Sequence, residues 1–167
     1  MVSAADETPA IADVRSVLED VRDPEIPILT IADLGILRDV AIENGEIVIV
    51  ITPTYSGCPA MNTIEQDIRA ALDAAGIAPV RIETRLAPAW TTDWLSAAGR
   101  CKLLEVGIAP PAERSTNKRL LGAAPAIACP QCGSQATERV SEFGSTACKA
   151  LYRCRECLEP FDYFKCI

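Results

Sequence analysis

The chain's capacity for chemistry lies in its thiols. Eight cysteines stand among 167 residues, six of them between Cys129 and Cys166, and Cys129, Cys132, Cys154 and Cys157 form two C-x-x-C knuckles with 21 residues between them. Paired knuckles near this spacing, with Gly133 directly after the first where the backbone bends around an ion, are the pattern of a four-thiolate zinc site. Such a closed site offers no open position to a substrate. Its role is to supply folding energy that a unit of ~40 residues cannot draw from its own core. Thiolate ligation alone does not choose the metal, so an iron-sulfur cluster or rubredoxin-like iron stands as the alternative to zinc. A disulfide framework is disfavoured, because the cysteines concentrate in one segment at metal spacing. Cys148 and Cys166 remain over in that segment. They read either as two small buried hydrophobes or as ligands of a second metal, between which and the first an ion could pass.

Cys58 is separate from these. It follows Thr54-Tyr55-Ser56-Gly57 and precedes Pro59 at the start of an expected helix. A thiolate there would face unpaired backbone N–H groups and the positive end of the helix dipole, which lowers a thiol pKa and favours metal ligation or nucleophilic attack. With no histidine anywhere in the chain to activate it, thiol hydrolysis is disfavoured, and a ligand or transient carrier is the functional reading; a buried, inert cysteine is the plain one. Asp23, Glu25 and Asp33 are acidic residues that could gather near Cys58 or simply brace loops. Cys101, alone on an expected helix, reads as packing. Trp90 and Trp94 read as core, with an aromatic partner patch as the lesser alternative.

The elements that must position these groups divide the chain in two. Residues 1–9 read as a disordered start. A helix from about Pro9 to Val21, capped by Thr8, shows Ile11, Val14, Leu18 and Val21 on one face. Strands at Ile36–Glu43 and Glu46–Thr52 flank Asn44-Gly45, the dipeptide of a type I′ hairpin turn. Met61, Ile64, Ile68 and Leu72 then mark a helix closed by Gly76. A strand at about Val80–Leu86 and a helix at Thr91–Val106, weakened at Gly99, complete an α-β-β-α-β-α unit over residues 10–107, of class α+β. Residues 108–128, with three prolines, read as a linker. Residues 129–167 carry strands at about Thr137–Phe143, Ala150–Arg153 and Phe161–Lys165 between the knuckles and after them, the layout of a cysteine-rich zinc ribbon.

Composition excludes several functions. The absence of histidine removes Ser-His-Asp and Cys-His machinery, and also a bundle-type di-iron carboxylate centre, whose halves each need a Glu-x-x-His pair. A net charge of −7, with 17 acids against 8 bases before residue 113, argues against nucleic acid as a partner. The longest aliphatic run, Ile47–Ile51, is too short for a membrane span, and the expected location is cytoplasmic. A dithiol redox enzyme is disfavoured because neither knuckle opens a helix after a strand.

Asp23-Pro24-Glu25, Asp33-Leu34-Gly35-Ile36 and Thr54-Tyr55-Ser56-Gly57-Cys58-Pro59 together resemble a domain-of-unknown-function family found in iron-sulfur assembly and targeting factors. With Trp90 to Pro111 and the cysteine-rich end through Phe161-Asp162-Tyr163-Phe164-Lys165-Cys166, residues 10–167 resemble the PaaD family of bacterial phenylacetyl-CoA epoxidase systems. The resemblance implies an accessory, non-catalytic role in aerobic phenylacetate breakdown, with the oxygenase and reductase subunits as partners and a homodimer as an option. It implies delivery or maintenance of iron or an iron-sulfur cluster. Carried over by position, the family's functional cysteine falls on Cys58, its Asp-Leu-Gly turn on Asp33–Gly35, and its metal-binding tail on the cysteines of the C-terminal segment. The competing reading is a docking module whose only metal is structural zinc.

Overall fold

The structure is a computed structural model, which describes residues 10–111 and 127–165. The expected disordered start, the Thr8 cap, most of the expected linker and Cys166 lie outside the described residues. The architecture is α+β, with a front unit and a cysteine-bearing sheet packed against it.

The first helix, α1, runs Ile11–Leu18 and buries Val14 and Leu18; its N-cap is Ala10, with no side-chain capping bond. Strands β1 (Leu37–Glu43) and β2 (Glu46–Ile51) form an antiparallel hairpin in the expected register, Glu43 opposite Glu46. Asn44 and Gly45 both take positive φ, 52° and 83°, as a type I′ turn requires. Every residue of β2 after Glu46 is buried, because this is the central strand, flanked by β1 and, in parallel, by β3 (Val80–Thr84). Helix α2 (Ala60–Ala74) crosses between β2 and β3 and buries Met61, Ile64, Ile68 and Leu72, the face its spacing predicts, and Gly76 closes it at φ 70°.

The expected helix at Thr91–Val106 is two pieces. A 3-10 turn, Thr92–Trp94, ends at an extended Leu95, and α3 starts afresh at Ala97–Glu105 with Ser96 as N-cap. The break follows from capping: the Ser96 hydroxyl accepts from the Gly99 amide at 2.8 Å while donating to Asp33 at 3.0 Å, and an N-cap residue cannot itself be helical. Gly99 is therefore a contact point. A Cβ there would come within 3.2 Å of both the Asp33 Cβ and its carbonyl oxygen.

The second sheet has the order β4-β7-β6-β5, built from Ile108–Ala109, Pro160–Phe164, Lys149–Cys154 and Thr137–Ser141. Thus the first two residues of the expected linker are a strand, paired in parallel with Asp162 and Tyr163 of β7. The two units share a core. Phe164 of the second sheet and Cys148, in the turn leading into β6, lie in the same buried cluster as Leu34, Ile64 and Trp90. The Trp90 and Phe164 rings meet edge to face with centroids 6.0 Å apart.

Among the described residues no helix is long and apolar enough to cross a membrane.

Candidate metal and thiol sites

The knuckles converge as their spacing demands. The four Sγ atoms of Cys129, Cys132, Cys154 and Cys157 all lie within 4.8 Å of one another. Cys129 to Cys157 is 3.7 Å and Cys132 to Cys154 is 3.6 Å. Metal–sulfur bonds of ~2.3 Å in a tetrahedron place sulfurs ~3.8 Å apart, so the donor set fits a tetrahedral ion. Each knuckle is a tight turn around its first sulfur. The Gly133 amide donates to the Cys129 carbonyl at 2.9 Å, with Gly133 at φ 74°, and the Glu156 amide points at the Cys154 sulfur at 3.4 Å.

The thiols alone resist joint ionisation. The amide of Cys157 leads the factors that bring the Cys154 thiol down to about 7, against some desolvation and with help from the Glu156 amide and the neighbouring thiols. For Cys157 the amide of Glu159 favours the thiolate, but desolvation and the sulfurs of Cys132, Cys154 and Cys129 push the thiol up to about 12. Four thiolates this close require a cation to hold them.

A second constellation sits where the two units meet. Cys58 is half-buried in the turn before α2, its amide donating to the Tyr55 carbonyl at 3.1 Å. The preceding Asp23-Pro24-Glu25 loop is pinned by Asp23 Oδ1, which accepts the amides of Glu25 and Ile26 at 2.8 Å each. Glu25 is thereby turned toward the ribbon, and its Oε2 lies 3.8 Å from the Sγ of buried Cys148. Cys148 also contacts the Thr146 hydroxyl at 3.1 Å.

The start of α2 does not lower the Cys58 thiol, contrary to the expectation from its position. Burial pushes its thiol up, the Ala60 amide and the Thr54 hydroxyl work the other way, and the charges of Glu25 and Asp23 push it up further. Amide donation at the start of α2 is present, as the position implies, but two carboxylates and desolvation outweigh it. Cys148 is raised to about 11, chiefly by burial, against the Thr146 hydroxyl and with Glu25 and Asp23 adding to it. Burial raises Asp23 too, against the amides it accepts. Tyr55 is raised to about 12 by burial and by the charges of Cys58, Glu25 and Cys148. Tyr55 and the Glu25–Cys148 contact did not stand out in the sequence. Tyr55 is in the turn three residues before Cys58, but nothing local to Glu25 indicates a partner 123 positions away.

The structure brings Asp23 and Glu25 toward Cys58, whereas Asp33 faces α3. Its Oδ2 receives Lys102 at 2.6 Å and the Thr30 amide at 3.2 Å, and its Oδ1 receives the Ser96 hydroxyl. Burial alone would raise the Asp33 carboxyl, but Lys102, Thr30 and Ser96 together hold it below the usual value. A lowered folded pKa gives stability that is present above the unfolded value and lost as pH falls through the folded one. Asp33→Asn is expected to cost about 1.5–3 kcal/mol at neutral pH. In urea titrations across pH, its deficit should shrink below the ordinary aspartate range; a constant deficit would mean that charge is not what Asp33 contributes.

Cys101 is exposed on α3 and so is not the packing residue expected. Trp90 is core, 4% exposed, with its Nε1 donating to the Leu34 carbonyl at 2.8 Å. Trp94 is half-buried under the Arg38 guanidinium, 3.5 Å from the ring centroid.

The comparisons with known proteins follow the same division. Residues 11–82 match the family described as iron-sulfur cluster assembly protein, and residues 113–165 match the PaaD zinc beta ribbon domain. An Escherichia coli (strain K12) protein, provisionally assigned as the D component of 1,2-phenylacetyl-CoA epoxidase, is 50% identical over 95% of this chain and 94% of its own length. The chain belongs to the PaaD family of phenylacetyl-CoA epoxidase subunits. This PaaD-family chain is also similar, at 32% identity over 97 residues, to a Porphyromonas gingivalis (strain ATCC BAA-308 / W83) Fe-S protein maturation auxiliary factor, covering 57% of this chain and 89% of that one. Two solved structures share the fold of part of it. A domain of unknown function, DUF59, from Bacillus anthracis is 27% identical with a TM-score of 0.51, covering 56% of this chain and 90% of its own. A conserved hypothetical protein from Thermotoga maritima is 27% identical with a TM-score of 0.50, covering 59% and 98%. For the PaaD ribbon, the zinc named by its family and the four-sulfur geometry agree. Cys129, Cys132, Cys154 and Cys157 are the residues that would hold zinc, and a site closed by four protein ligands serves structure.

Proposed function

We propose that this chain is an accessory subunit of a phenylacetyl-CoA epoxidase system that delivers or maintains iron, as the ion or as an iron-sulfur cluster, for the oxygenase or reductase subunits. Cys58 is the carrier, and the zinc of the ribbon holds the C-terminal unit together. The observation that carries this reading is the placement of Cys58. It is a partly accessible thiol at a helix start, beside two carboxylates, in a unit whose relatives include a maturation factor for Fe-S proteins. Without histidine, the chain lacks the means to be the di-iron oxygenase catalyst itself.

Cys58→Ser is expected to leave the fold intact, since serine is nearly isosteric and the site is half-buried, yet to abolish activation of an iron-depleted oxygenase in a reconstituted system. Full activation by that variant would remove Cys58 from the role.

The docking-module alternative requires an exposed aromatic surface. Trp90 is 4% exposed and donates to a buried carbonyl, which supports a structural role for it and leaves Trp94 as the indole available to a partner. Metal and acid-labile sulfide analysis of protein purified without oxygen separates the readings. Iron that falls in Cys58→Ser supports the carrier. Zinc alone, equal in both proteins, supports docking.

A further inference from the structure

The four-cysteine site is closed around its metal position and open at two of its sulfurs. Cys129 and Cys154 are buried, at 2% and 0% exposure, whereas Cys132 and Cys157 are exposed. Each knuckle thus begins with a shielded sulfur and ends with one that meets solvent. The arrangement across the knuckles is equally regular. Exposed Cys132 lies 3.6 Å from buried Cys154, and exposed Cys157 lies 3.7 Å from buried Cys129. Both contacts join one knuckle to the other, so each exposed sulfur touches a shielded sulfur of the opposite turn.

That pairing has a chemical meaning. A thiolate open to solvent is the group that a hydroperoxide oxidises, and the sulfenic acid so formed condenses with a neighbouring thiolate to a disulfide. Metal ligation keeps all four sulfurs deprotonated and therefore ready for both steps.

We propose that Cys132 and Cys157 are oxidation sites for hydrogen peroxide, with Cys154 and Cys129 as their resolving thiols, so that two cross-knuckle disulfides replace zinc as the link between the knuckles. The proposal goes beyond the carrier role and does not depend on Cys58. In the first step the exposed thiolate attacks one peroxide oxygen and the O–O bond breaks. The sulfur is oxidised by two electrons to S–OH, and the other oxygen leaves as water with a proton from solvent. In the second step the buried thiolate attacks that sulfur, an S–S bond forms, and the hydroxyl leaves as water with another solvent proton. The same two steps at the other pair consume a second peroxide. Four thiolates become two disulfides, and the chain gives up its zinc with no change in the ion's oxidation state. Sulfurs bonded at ~2.05 Å cannot also span the ~3.8 Å edges of a tetrahedral site.

Connectivity decides what becomes of the ribbon. Disulfides within each C-x-x-C would leave the two knuckles unlinked. Cross-knuckle disulfides draw together sulfurs already in contact, and they tie the turn before β5 to the turn between β6 and β7. The pairing of those strands is then kept, and with it the Phe164 ring against Trp90. Oxidation by this route unloads the metal and preserves the junction, and reduction in the presence of zinc reverses it.

The test is titration of the zinc-loaded full-length chain with hydrogen peroxide. A Cys58→Ser, Cys101→Ser background removes the half-buried and the exposed thiol that lie outside the site. Released zinc is read with a chromogenic chelator too weak to strip the reduced site, disulfides by peptide mass mapping after alkylation, and the sheet by far-UV circular dichroism. One zinc should appear per two peroxide molecules consumed. The mapped bonds should be Cys132–Cys154 and Cys129–Cys157, and the dichroism that a strong chelator abolishes in the reduced protein should persist. Dithiothreitol with added zinc should return the starting protein. Zinc retained through an excess of peroxide would overturn the proposal, as would release accompanied by sulfinic or sulfonic acids in place of disulfides. Bonds within each knuckle, or a bond from either exposed sulfur to Cys148 or Cys166, would overturn the assigned pairing. Cross-knuckle bonds formed with loss of the dichroism signal would show that they do not replace the metal as the link.

Discussion

Stripping the metal from the ribbon should unfold the C-terminal sheet and loosen the front unit with it. The second buried cluster consists of Ala109, Ile127, Cys129, Ala150, Cys154, Phe161 and Tyr163. Two of its members belong to the four-cysteine site, and three of the others are large. Structural zinc contributes about 10–16 kcal/mol of apparent binding energy in small zinc domains, more than three large side chains at about 1.5–3 kcal/mol each. The ribbon should therefore lose its sheet when a strong chelator removes the ion, or when Cys154→Ser removes a buried ligand.

The consequence extends further because Phe164 and Cys148 belong to the front core. Once β6 and β7 come apart, the Trp90 ring loses Phe164 from its edge and gains water. Far-UV circular dichroism should report loss of the sheet, and Trp90 fluorescence should shift to the red in the same transition. Zinc should restore both. Loss of the dichroism signal with unshifted fluorescence would mean that the two units are energetically independent despite their contact.

Much of this arrangement is legible in the sequence because it is set by local spacing. The α2 face, the Asn44-Gly45 turn and the four knuckle cysteines each follow from a period or an offset of a few residues. What escapes is set by partners far along the chain. The Ser96 cap, which splits the last front helix, was readable in principle as a serine ahead of a helical stretch. Its force depends on Asp33, 63 positions earlier. The Cys58 thiol was expected to be lowered by its helix; the local half of that expectation, the amide donation, is present, but burial in the fold reverses it, helped by carboxylates from a loop some thirty residues upstream. Ile108–Ala109 looks like linker because a two-residue strand has no period, and only β7 gives it a place.

Trp90→Ala should be the most destabilising single substitution in the front unit outside the metal ligands. The indole fills the junction, edge to face with Phe164, and its Nε1–H meets the Leu34 carbonyl at 2.8 Å. Truncation leaves a cavity and an unpartnered buried carbonyl, a loss of about 3–5 kcal/mol for the ring. Relaxation of the nearby backbone is limited, because Gly35 is held at φ 67° with the space where a Cβ would stand only 2.5 Å from the Trp94 carbonyl oxygen. Trp90→Phe separates the two contributions. It keeps most of the ring and removes the donor, so it should cost about 1–3 kcal/mol. Equilibrium denaturation of both variants with the ribbon zinc-loaded measures the difference. If alanine and phenylalanine cost the same, the hydrogen bond to Leu34 within the front unit, and not the packing on Phe164 across the junction, carries the contribution of Trp90. If phenylalanine is nearly neutral, the junction is held by packing, and the Cys148–Glu25 contact beside it depends on apolar surface for its alignment.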